Sequence, residues 1–217
     1  MAGFRYAGDL NGSKRKLVRD FLIPTATAIE QGEPVDFTYG TGVIVHAHED
    51  DFDDPIVGVA TAAHAANSGT SIELSYSPTA IYVYKASKTY TATGGSTTTI
   101  VDSSLLPQTD DFWINGMIKV ISCAADSSLN GLLIPITDST GSSGTLTFAT
   151  QAAAFAAGDT YQLCLGNYAD GFLGYDLDTD AMNPDFDAAG GAILKFQYSN
   201  PKTMEMYFTF ERYGISS

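Results

Sequence analysis

The sequence predicts an all-β protein: a compact β-barrel or sandwich domain with a second small β domain inserted. Three observations carry this. Apolar residues recur with a period of two, Gly, Ser and Thr punctuate the chain at short intervals, and only Gln151–Ala157 reads as a short helix. Ile72, Leu74 and Tyr76 alternate with Ser71, Glu73 and Ser75, and Met204, Met206, Phe208 and Phe210 alternate with Glu205, Tyr207, Thr209 and Glu211. Alternation puts one set on a core face and the other toward solvent or a second layer.

In chain order, further strands are expected at Val35–Tyr39, Gly42–His46, Ile56–Ala60, Ala80–Tyr84, Met117–Ser122, Gly131–Thr137, Thr145–Ala149, Thr160–Leu165 and Ala192–Tyr198. Turn chemistry separates them: Gln31-Gly32-Glu33-Pro34, Ser68-Gly69, Gly94-Gly95, Ser142-Ser143-Gly144 and Gly158-Asp159. Short strands at this spacing indicate a sandwich or barrel. Composition breaks at Ala92–Ser96 and Gly166–Ala169 read as linkers. They suggest an N-terminal arm over 1–20, a main domain formed by 21–89 and 168–217, and an insertion over 90–167. Two domains in series is the alternative.

The 217 residues are 44% hydrophobic, enough for a sizeable core, and only 17% charged, below the usual quarter. No apolar run approaches the roughly 20 residues that span a bilayer. The N-terminus lacks a secretory apolar core, so synthesis and folding in a cytoplasm are expected. Cys123 and Cys164 stand in no metal-type spacing, and in a reducing compartment they read as two small buried hydrophobes.

Charge is unevenly placed. Residues 1–20 hold Arg5, Lys14, Arg15, Lys16 and Arg19 against Asp9 and Asp20, a net +3, whereas the other 197 residues carry −17, for a total of −14. So acidic a body repels nucleic acid and anionic membrane, so neither is expected as a partner. A short basic arm on an acidic body suits a tether across another protein's acidic surface; Lys14-Arg15-Lys16 as a solvated turn is the plain alternative.

Candidate chemistry is sparse. His46 and His48 at i, i+2 would share one face of a strand, a spacing that suits a pair of zinc ligands, or simply flank an exposed acidic turn. Asp176, Asp178 and Asp180, followed by Asn183, Asp185 and Asp187, place oxygen ligands at alternate positions, as a Ca²⁺ loop does. Ala181 stands where such a loop needs its Gly, and Pro184 is out of place, so a solvated acidic loop is the simpler reading. No Ser-nucleophile, zinc-protease, phosphate-loop or dinucleotide signature occurs, and neither an enzyme nor a cofactor is expected. His64, among alanines, reads as a turn or short-helix residue. Phe112 with Trp113 could form a sugar-stacking or interface platform, or seal a core.

Two stretches carry a family resemblance. Gln31-Gly32-Glu33-Pro34-Val35, then Ile56-Val57-Gly58-Val59-Ala60, Ser68-Gly69 and Ile72-Glu73-Leu74 resemble the small capsid decoration proteins of tailed bacteriophages. Ser96–Asp102, Asp110–Gly116, Asn130-Gly131, Ile136–Asp138, Gly144–Thr147 and Ala156–Tyr161 are similar to a small β module of phage virion proteins. Together they cover a little over half of the chain. The resemblance implies a barrel that sits on the capsid exterior, binds the major capsid protein, forms homotrimers and is made in the host bacterial cytoplasm. On that reading Phe4, Arg5, Lys14, Arg15, Lys16 and Arg19 of the arm contact the capsid. A head fibre using Phe112 and Trp113 to bind host glycans is the first rival. A glycan-active enzyme with converging carboxylates from 176–187 is the second.

Overall fold

The computed structural model describes residues 4–9, 16–22, 28–38, 43–46, 58–66, 71–76, 80–105, 109–166, 174–177, 184–185 and 194–210. The described residues are predominantly strand, as the alternation predicts. The N-terminal strands are β1 (Phe4–Asp9), β2 (Lys16–Leu22), β3 (Pro34–Thr38), β4 (Val43–His46), β5 (Gly58–Ala60), β6 (Ser71–Tyr76) and β7 (Ala80–Lys85). Next come β8 (Thr89–Thr91), β9 (Gly94–Gly95), β10 (Thr99–Val101), β11 (Met117–Ser122), β12 (Leu133–Thr140), β13 (Thr145–Phe148) and β14 (Thr160–Cys164). The last are β15 (Gly174–Leu177), β16 (Pro184–Asp185), β17 (Leu194–Asn200) and β18 (Glu205–Phe210). Two compact units result: Met1–Tyr84 with Phe172–Gln197 and Tyr207–Ser217, and Lys85–Gly171 with Tyr198–Met206.

In the first unit, a five-stranded antiparallel sheet runs β2-β6-β5-β3-β4. Its outer strands, β2 and β4, also approach each other, so the sheet curls. Gly32 takes φ +89 to turn the chain into β3, and its N–H reaches the Ala60 carbonyl at 2.9 Å. Such a φ costs glycine nothing. Glu33 in that turn is buried, its carboxylate accepting from the Glu30 N–H at 2.6 Å. The apolar run expected at 56–60 yields β5, whose Gly58, Val59 and Ala60 are all buried. His64 forms an isolated bridge with Ile29 rather than a helical turn.

A second sheet is ordered β1-β7-β18-β17-β15-β16. Two stretches expected to lie in a basic arm are sheet strands: 4–9 pair with β7 and 16–22 with β6. Phe4 is 2% exposed, its ring 5.5 Å from Tyr84, 6.0 Å from Phe208 and 5.4 Å from Phe210. A phenyl ring set among three other aromatic rings buries a large apolar area, which favours holding the strand in the sheet.

The second unit holds a seven-stranded antiparallel sheet, β8-β14-β11-β12-β13-β10-β9. Its two ends are strands joined directly in sequence: residues 89–91 pair with β14 and residues 94–95 pair with β10. Between them the Thr93 N–H reaches the Val101 carbonyl and the Gly158 N–H reaches the Ala92 carbonyl. One continuous segment thus closes the sheet into a small barrel, which removes the sheet's free edges. Its Gly- and Thr-rich composition had suggested a linker. Gly95 is required by crowding, since a Cβ there would lie 2.5 Å from the Thr99 carbonyl oxygen.

Inward-facing Ile100, Ile118, Val120, Ile134, Ile136 and Leu146 fill the barrel. Gln151–Ala157 is not helical, because the Gln151 and Phe155 N–H groups bond across to Thr97 and Ser96 and seat Phe155 against Phe148. The unit also takes in 198–206, grouped by sequence with the main domain. The Ala86 N–H meets the Met204 carbonyl at 2.8 Å, and the Leu165 N–H meets Met206 Sδ at 3.4 Å.

Candidate functional site

The polar side chains best defined by geometry lie in the barrel unit, and they brace it. Asp102, just after β10, is 1% exposed. Its Oδ1 accepts from the Ser104 N–H and hydroxyl at 2.9 and 2.7 Å, and its Oδ2 from the Tyr161 hydroxyl at 2.7 Å. Tyr161 is carried inward by β14 and stacks on Tyr90 at 5.7 Å. Burial, reinforced by the Asp102 charge, pushes the Tyr161 phenol far above its ordinary value. A phenol so held is a fixed hydrogen-bond donor, not an acid or nucleophile.

Asp159, in the turn before β14, accepts from the Ala124 N–H at 2.8 Å and the Ala156 N–H at 2.9 Å. It pins two loops together. Asp110 takes the Gly141 N–H at 2.9 Å, and Asn130 takes the Cys123 N–H at 2.8 Å. Asp126 caps the 127–129 turn, and hydrogen bonds from Ser128 hold its carboxyl below the usual range. Each carboxylate here is committed to holding backbone.

Phe112 and Trp113 do not form an exposed platform. Trp113 is 2% exposed, its backbone N–H donates to Ser139 Oγ at 3.0 Å, and the two rings meet edge to face at 4.9 Å. The loop carrying them is laid onto β12, with Asp111 and Asn115 taking positive φ at 63° and 62°. Asn and Asp tolerate that region better than most residues. A shallow depression with no room for a water-sized ligand borders Trp113, Leu105, Thr109 and Thr140, and none of its lining residues is titratable.

Among the other expected site residues, Arg5 is exposed on β1 opposite Val83, and β2 contains Lys16 and Arg19. Lys14 and Arg15 lie outside the described residues. His46 is in β4 opposite Val35, while His48 falls outside the described residues. Asp176 is in β15 with Asp185 as its cross-strand partner, and Asp178 and Asp180 fall outside. Among the described residues no three His, Cys, Asp or Glu side chains are grouped to hold a metal, and no helix is long and apolar enough to cross a membrane.

No protein family, curated protein or solved structure matches this chain.

Sequence reading missed the outer face of β11 and β12. Ile121, Leu132 and Leu133 are 38%, 44% and 41% exposed. A signal was present: Leu133 alternates with Ile134 and Ile136, so a strand that buries Ile134 and Ile136 turns Leu133 outward. At the far end of β12, Asp138 is exposed beside Asp111, and Asp110 is close by. Desolvation first, then the hydrogen bond and charge of Asp138 and the charge of Asp110, raise the Asp111 carboxyl above its ordinary value.

Proposed function

We propose that the protein is a non-enzymatic structural component of a tailed-phage virion that decorates and stabilises the outside of the capsid. The observation that carries this reading is the use made of the barrel's polar groups. Asp102, Asp110, Asp159 and Asn130 tie separate segments together and Asp126 caps its own turn, so the side chains most suited to chemistry are committed to rigidity. A braced all-β body with a strongly acidic, soluble surface suits a part that resists load at subunit junctions. The partners on this reading are the major capsid protein and further copies of the chain, three in number by resemblance. The burial of Trp113 weighs against the glycan-binding fibre, which needs that ring at the surface.

Because 4–9 and 16–22 are sheet strands, truncating the first twenty residues would damage the fold and confuse the result. The sharper experiment neutralises the basic groups instead. Purified protein and a Lys14→Gln, Arg15→Gln, Lys16→Gln, Arg19→Gln variant are titrated onto matching empty capsids at low and high salt. The reading expects saturable binding that weakens with salt and is lost or greatly reduced in the variant. Absence of saturable binding by the wild type would overturn the decoration role. Undiminished binding by the variant would remove the basic tether.

A further inference from the structure

The closed barrel restricts how anything can attach to it. With 89–95 joining the two ends of the sheet, strand addition has no edge to use, so a partner must dock on an outward face. One such face is unlike its surroundings. β11 and β12 pair with Lys119 opposite Leu133 and Ile118 opposite Ile134. Ile118 and Ile134 point into the core, so Lys119, Ile121 and Leu133 share the outer face, beside exposed Leu132. Lys119 is the sole basic residue between positions 89 and 194.

Along β12 the outer face then runs through exposed Pro135 and Thr137 to Asp138. The strand shifts register between Ile136 and Asp138, which turns both Thr137 and Asp138 outward. One strip therefore begins apolar and cationic and ends in three exposed acids, Asp110, Asp111 and Asp138. Set head to tail, the Lys119 end of one copy meets the acidic end of the next and covers the exposed leucines, a contact that closes as a ring, three copies included. Two bodies of net charge −14 repel elsewhere, so a contact between copies requires such a local match.

We propose that the outer face of β11 and β12 is a self-association surface, where the Lys119–Ile121–Leu133 end of one copy meets the Asp110–Asp111–Asp138 end of another. The inference rests on the self-association part of the proposed function and not on capsid binding, which the titration onto capsids reads separately.

The test is the mass of the intact chain by sedimentation and light scattering over a concentration series, for wild type, Lys119→Glu, Asp138→Lys and the double charge swap. Wild type should associate. Each single swap should weaken association by about tenfold or more, and the double swap should recover most of the loss, as expected for directly opposed charges. Circular dichroism and melting curves verify that the variants fold, and Leu133→Gln supplies an uncharged second probe expected to weaken association. A wild type that stays monomeric throughout overturns the proposal. So does association indifferent to the single swaps and to Leu133→Gln, or a double swap no better than the singles.

Discussion

The two units bury aromatic rings in different ways. In the first, Phe4, Tyr84, Phe208 and Phe210 pack ring against ring across paired strands, with Phe196 edge-on to Phe208 at 5.7 Å. In the second, Tyr161 brings a hydroxyl into the core and gives it to a buried carboxylate. Ring clusters are forgiving of direction and depend on volume. A buried carboxylate is unforgiving, since each oxygen left without a donor bears its full desolvation cost. Among the described residues, ring packing thus dominates at β1, β7 and β18, and hydrogen-bonded circuits brace the loops of the barrel.

Substitutions can break that contrast, and the largest effects come from volume and backbone. Gly144→Val should destabilise the barrel by about 3 kcal/mol or more, because φ is +61 and a Cβ would collide with the Asp102 carbonyl. Phe4→Ala should cost the first unit about 3–5 kcal/mol. Hydrogen exchange resolved by peptide should place the first loss in 89–164 and the second in β1, β7 and β18; the same pattern for both would merge the units energetically. Tyr161→Phe removes few contacts yet leaves Asp102 Oδ2 without its donor, for an expected loss of about 1–3 kcal/mol by denaturant unfolding. A neutral result would mean that the barrel is held by packing after all.

Smaller effects sharpen the comparison. The Asp111 carboxyl is raised when folded, so the folded state favours its protonated form, and stability is lost as pH rises from the ordinary carboxylate range through the folded value. Asp111→Asn should therefore raise the melting temperature at pH 7, helped by asparagine's tolerance of positive φ. The gain should shrink as the pH is lowered. The least effect is expected at Cys164, whose thiol is pushed up to about 12, first by burial and then by Glu205. Alkylation of Cys164 at pH 8 should be negligible until the protein is unfolded; rapid labelling would show that the barrel opens readily.

Much of the fold was legible where one face of a strand is apolar and the other polar. Met117–Ser122 forms with the bounds that its pattern gives, and 145–148 and 205–210 differ from expectation by a residue or so. Legibility failed where composition imitates something else. Phe4–Asp9 looked like a charged arm because a strand that buries one large ring needs few other apolar residues. Residues 92–96 looked like a linker because a closing segment under crowded carbonyls must be small. The network at Asp102 was hidden because its partner lies 59 residues away, beyond any local pattern. Trp113 shows the converse: an aromatic pair reads identically whether it faces a ligand or a core.

The pairing that closes the barrel also sets its behaviour under mechanical load. β8 and β14 are antiparallel neighbours with Thr89 opposite Gln162 and Thr91 opposite Thr160. Tension applied at Thr89 and at Cys164 therefore pulls on adjacent ends of one strand pair. It peels their hydrogen bonds apart one at a time, where a pull on opposite ends would load them all together. The barrel is poorly placed as a link in a stretched chain.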